Sequence, residues 1–245
     1  MPNNTTNYVK VSGKIGRLAQ MQDYVKQEID SDWHNNFAEE PIPFSLNKVI
    51  PMPSELRGTT SPANIVSDEE YIKYYSTEET AKRLLEREEA IKNGEYFFGD
   101  QKPLTKEMQE DYIKRFGYDN WYEWSIHTWH TKWDTYDHDF WKDYDDKEVI
   151  TNPGAIGEME YFFYTAWSPP EPIYNILSDV FGDLEIDWSY SDEGGGFCGT
   201  FGTREHYTKA HGNNCECYYE DEPESDEENK DEYVIIERQL KKDEE

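Results

Sequence analysis

The sequence predicts an α+β fold, a ferredoxin-like antiparallel sheet with two helices on one face and a helical insertion. Three observations carry this. The order β-α-β occurs near the start of the chain and again, with an added strand, between residues 158 and 210, with strand-like and helix-like hydrophobic periods in each. A long polar interval separates the two passages. Aromatic residues make up 16% of a chain that is 36% hydrophobic, and four of its eight tryptophans (Trp121, Trp124, Trp129, Trp133) fall within residues 120–139. Aromatic side chains must then supply much of the core. A sheet covered on one side by two helices is the natural closure of such an order.

In the first passage Val9 and Val11 alternate with polar residues up to Gly13, which reads as a short strand. Ile15, Leu18, Val25 and Ile29 recur at helical spacing with Met21 on the flank, predicting an amphipathic helix over residues 16–29. Residues 44–50 (FSLNKVI) are expected as the second strand, ended by Pro51 and Pro53. The insertion is expected at about residues 52–148. Within it, Ser76 and Glu79 form a capping-box signal for a charged helix over 77–93, closed by Gly94. A second helix, over 105–116, carries Met108, Tyr112, Ile113 and Phe116 on one face before Gly117. The Trp-rich segment continues as a helix with Trp121, Trp129 and Trp133 on one side and Trp124 at the fringe.

In the second passage, residues 158–167 (EMEYFFYTAW) predict an aromatic strand with Met159, Tyr161, Phe163 and Trp167 in one phase. Ser168-Pro169-Pro170 breaks it, and Pro172 suits the first turn of a helix bearing Ile173, Ile176, Leu177, Val180 and Phe181. Leu184, Ile186, Trp188 and Tyr190 then alternate with polar residues as a half-buried strand, whose partner is expected within 199–210. Trp121, Trp133 and Trp167 are expected to be mostly buried. Residues 1–211 read as one domain and 212–245 as an acidic, partly disordered tail. Residues 216–232 hold ten acids and one lysine, a composition that cannot build a core.

Acidic residues outnumber basic ones 53 to 24, for a net charge of −29. Such a field disfavours direct nucleic-acid binding and attracts basic protein surfaces. The chain has no apolar run long enough to span a membrane and its first residues lack a basic and apolar leader pattern, so a cytoplasmic protein is expected. Cys198, Cys215 and Cys217 are expected to form no disulfide framework, as suits a reducing compartment.

Several blocks resemble a known family. The opening MPNNTTNYVKVSG, the block FSLNKVIPMPSEL (44–56), the run NWYEWSIHTWHTKWD (120–134), the turn TAWSPPEP (165–172) and the strand end GGGFCGTF (194–201) are similar to phage- and plasmid-borne proteins with a YubB-type ferredoxin-like domain. The likeness covers most of residues 1–210. His130 departs from it, since the family typically has glycine there, at a turn or helix end. The resemblance implies the fold and a mobile-element origin, and it supplies no active site.

The candidate sites are few. On a continuous helix His127, His130 and Asp134 would share a face, yet a histidine beside a carboxylate is expected by chance in so acidic a segment, and no metal is expected. His211, Cys215 and Cys217 lack a second pair of ligands. An acidic field raises the pKa of Cys198, so a buried strand cysteine is expected in place of a nucleophile. The glycines at 194–196 lack a following helix and lysine, so they make a tight turn and no phosphate cradle. No cofactor is expected.

The expected function is therefore that of an acidic phage or mobile-element protein. It would bind and modulate a host protein with a basic surface, as a counter-defence inhibitor or polyanion mimic, without catalysis. The expected binding residues are Trp121, Trp124, Trp129, Trp133, Asp134, Asp137 and Asp139. The alternative is an enzyme or small-ligand protein with a pocket between the sheet and the Trp-rich helix. An RNA-recognition sheet fits the fold class but lacks basic residues.

Overall fold

Strict alternation in β1 (Asn4–Lys14) turns Thr5, Asn7, Val9 and Val11 to one buried face. The computed structural model describes residues 3–28, 41–92, 101–201 and 209–210. The expected tail (212–245), Ile29, Gly94, His211, Cys215 and Cys217 lie outside them. β1 leads into α1 (Ile15–Val25), whose Ile15, Leu18, Met21 and Val25 are buried. Residues 26–135 follow before the chain returns to the sheet as β2 (Tyr136–Lys142). They contain α2 (Leu46–Val49), α3 (Asp68–Tyr74), α4 (Thr77–Lys92), α5 (Lys106–Phe116) and α6 (Trp121–Thr128). After β2 come α7 (Asp146–Thr151), β3 (Ile156–Ala166), α8 (Glu171–Val180), β4 (Glu185–Asp192), β5 (Phe197–Phe201) and β6 (Lys209–Ala210).

Among the described residues the sheet has six strands in the order β2-β3-β1-β4-β5-β6, every neighbouring pair antiparallel. The path β1-α1-β2-β3-α8-β4 is the split β-α-β of the ferredoxin-like fold, with β5 and β6 added beside β4. Register places Val9 between Tyr161 and Trp188, and Val11 between Met159 and Ile186, so all three central strands present one apolar face. The two sheet-covering helices lie on that face. Tyr24 of α1 meets Phe181, just past α8, edge-on at 5.5 Å, and Tyr174 of α8 reaches Trp188.

The second strand does not lie at residues 44–50, where the sequence leads one to expect it. That segment is the short helix α2, with Ser45 as N-cap accepting from the Lys48 N–H. Phe44 and Leu46, two apart, suit one face of a strand, while Leu46 and Val49, three apart, suit one face of a helix, and short apolar runs do not discriminate. Phe44, fully buried, decides the matter from outside the segment. Its ring lies 4.7–5.6 Å from Phe163, Tyr161 and Trp188 and plugs the centre of the sheet. It therefore stands over the sheet instead of within it, and β2 takes the edge position against β3.

The caps fall where their chemistry requires. Ser76 Oγ accepts from Glu79 N–H at the start of α4, and Thr105 caps α5, which Gly117 closes at φ 83°. α6 stops at Thr128, much shorter than a helix carrying Trp133 would need, because His130 adopts φ 64°. A left-handed residue cannot continue a right-handed helix, and glycine is the residue that adopts it most cheaply. His127, His130 and Asp134 consequently share no helical face. Trp167, expected in the buried phase of β3, is 39% exposed, since its own φ of 76° turns the chain out of the strand after Ala166. Val180 and Ile113, expected on apolar helix faces, are also exposed.

Candidate functional site

Asn120 caps α6 by accepting from the Glu123 N–H, and the Trp121 N–H bonds to Thr59 Oγ1. These contacts fix the helix that delivers the tryptophans. Trp124 and Trp129 meet edge to face at 5.1 Å and are 7% and 0% exposed. Trp129 also donates its Nε1–H to the Ile50 carbonyl at 3.0 Å. Both are core. Trp121 is half-buried with its ring against Tyr122.

Asp134 belongs to a polar chain beneath the sheet. It accepts from the Ser45 hydroxyl (2.7 Å) and from the N–H groups of Leu46 (2.6 Å), Thr135 (2.8 Å) and Asn47 (3.4 Å). Burial raises its pKa, while these four donors pull it down. Donors at both oxygens match a carboxylate, so Asp134 acts as a bracket between α2 and the start of β2. Thr135 gives its single hydroxyl proton to the Phe44 carbonyl and must therefore accept from His138 Nε2–H (2.7 Å). Ser45, Asp134, Thr135 and His138 are thus a satisfied structural network.

Burial pushes the His138 imidazole down to about 4, against the opposing influence of its bond at Phe44 and of Asp137. The unfolded value is about 6.5, so between pH 6.5 and 4 the unfolded chain binds more protons and stability falls as pH falls. The expected loss is about 3 kcal/mol, complete near pH 4. Urea unfolding of the wild type and His138→Gln at pH 7 and pH 4.5 checks it. The variant should lose less stability on acidification, and parallel losses would refute the assignment.

What the sequence did not assemble is a corner on the surface beside this network. Lys132 Nζ lies 4.7 Å from the ring centre of Trp133, 5.3 Å from that of Trp167 and 6.0 Å from that of Tyr122. Tyr122 and Trp167 meet edge to face at 6.2 Å. The backbone of the corner is pinned: Ser125 Oγ donates to the Lys132 carbonyl, Ser168 Oγ to the His130 carbonyl, and the Trp167 N–H to the Asn3 carbonyl. Two of its residues, His130 and Trp167, are left-handed, which for a bulky L-residue costs of order 1–2 kcal/mol. The aromatic surface runs on through Trp133, Tyr136 and Tyr164 at ring spacings of 6.5 and 6.0 Å.

Of the expected binding residues, then, Trp133 is at the corner, and Asp137 and Asp139 are exposed on the edge strand β2, where Asp137 has φ 51° at a bulge. Trp124, Trp129 and Asp134 are held in the interior contacts described above. Tyr122, Lys132 and Trp167 join Trp133 at the corner without being among the residues expected from the sequence. The signal in the sequence was a lysine between two aromatic-rich blocks and a tryptophan directly before Ser-Pro-Pro. Among the described residues no three His, Cys, Asp or Glu side chains come together as a metal-ligand set. His127 stacks on Tyr118 and bonds to the Glu123 carbonyl. Cys198 is buried in β5, as expected, but it is disulfide-bonded, which corrects the expectation that the cysteines form no disulfide framework and removes it as a free thiol. No described helix is long and apolar enough to cross a membrane.

The family described as the ferredoxin-like domain in Api92-like protein matches residues 128–237. The match takes in β2, α7, β3, α8, β4, β5 and β6 and leaves β1 and α1 outside. No curated protein and no solved structure matches the chain.

Proposed function

We propose that this protein acts by binding, capturing a partner protein through a basic surface of that partner. The observation that carries the reading is the aromatic corner, half-buried at Tyr122 and Trp133, open to solvent at Trp167 and strained at His130 and Trp167, in a chain of net charge −29. Large aromatic side chains are the usual anchors of protein interfaces, and an acidic surface steers basic partners toward them. Asp137 and Asp139, exposed on the edge strand, are the carboxylates of this reading. In a phage or mobile-element setting, which the sequence resemblance implies, the partner is a host protein and the acidic surface competes with nucleic acid for it. Counter-defence is the role that such competition suits.

The test uses the full chain, immobilised, to capture a partner from host lysate, followed by kinetics on the purified pair. The on-rate should fall steeply as salt rises from 50 to 300 mM, because screening shortens to ~8 Å at physiological ionic strength. Asp137→Asn with Asp139→Asn should slow association, and Trp167→Ala should speed dissociation. A partner whose binding ignores both salt and these substitutions would overturn the proposal.

A further inference from the structure

We infer that the corner formed by Tyr122, Trp133 and Trp167 is a receptor for a single organic cation, and that Lys132 is its built-in occupant. The ring faces of tryptophan and tyrosine attract a cation through their quadrupoles within about 6 Å, and here three rings converge on one point at that range. Among the described residues Lys132 makes no ion pair with a carboxylate. Its ammonium is held by the rings, although the chain carries 53 acidic side chains. Ser125 anchors the Lys132 carbonyl, so the backbone stays in place whichever cation fills the corner. Trp167, 39% exposed, leaves one side open to solvent and to an incoming group.

The ligand chemistry follows from the geometry. Rings supply a face for a diffuse charge and no fixed hydrogen-bond acceptor, which favours an alkylated ammonium over a small hydrated ion. The inference deepens the proposed function in one respect, that the source of the cation would be a side chain of the basic partner. The site itself can be tested without any partner.

Tetramethylammonium chloride is titrated into the full chain, with sodium chloride at matched ionic strength and tert-butanol as an uncharged probe of similar bulk. Binding is followed by indole N–H resonances in NMR. Lys132→Met removes the resident charge and keeps an apolar stem. This variant should bind tetramethylammonium at least about tenfold more tightly than the wild type, whose own lysine competes. Adding Trp133→Leu or Trp167→Leu to Lys132→Met should abolish binding, with unchanged thermal melts showing that the fold is kept. Should both double variants melt early, the Lys132→Met titration against tert-butanol decides alone. No shift in Lys132→Met, or equal binding of tert-butanol, would overturn the site. Salt-dependent partner capture without tetramethylammonium binding would sink this site and leave the electrostatic reading standing. Cation binding with partner capture indifferent to salt would do the reverse.

Discussion

Replacing Trp129 with alanine is expected to cost about 3–5 kcal/mol of folding free energy, the range for removing a fully buried large aromatic side chain. The residue is 0% exposed, packs edge-on against Trp124, and gives its indole N–H to the Ile50 carbonyl just after α2. The variant would leave a cavity and an unbonded carbonyl, and the second adds about 1 kcal/mol. Against a total stability of about 5–15 kcal/mol, this is a large share. Urea unfolding monitored by circular dichroism measures it, with Trp167→Ala as the comparison. Trp167 lies on the surface in a strained backbone conformation, so its replacement should cost about 1 kcal/mol or less. Equal losses in the two variants would contradict the division of the tryptophans into core and surface.

Asp134→Asn is expected to cost about 3 kcal/mol despite being nearly isosteric. The carboxylate is the common acceptor for the Ser45 hydroxyl and for three backbone N–H groups. An amide keeps one acceptor and turns two N–H bonds toward donors, leaving at least one buried donor unmet at about 1–3 kcal/mol, with the charge-assisted contribution lost as well. The damage should be local first. Amide hydrogen exchange at Leu46 should accelerate, because α2 loses its tie to the start of β2 and with it the support of Phe44. A variant as stable as wild type with unchanged Leu46 exchange would show that Asp134 is not the bracket described.

Trp129 and Trp133 are four residues apart and look equivalent in the sequence, but one is fully buried and the other only half-buried. His130 separates them. Its left-handed backbone ends the helix and sends the two rings in different directions. Asp134 looked like one acid among many in an acidic stretch. Its difference from Asp137 and Asp139 lies in the N–H groups of residues 46 and 47, almost ninety positions away.

By itself the sequence determined the features that arise within a few residues. The alternation of β1, β3 and β4, the caps of α4 and α5, the Pro-led α8 and the acidic character all follow from side-chain period and local hydrogen bonding. The tertiary structure alone decided which segment completes the sheet and where the aromatic corner forms. Residues 44–50 and 136–142 both suit a strand locally. The choice fell to 136–142 because β3 offers it an edge, while Phe44 is needed over the aromatic face of the sheet. The rings of Tyr122, Trp133 and Trp167 converge on Lys132 from separate segments, through two backbone conformations that no local preference selects. Periodicity is a property of one segment. Pairing and convergence are properties of several segments at once, and their energies exist only when the chain is folded.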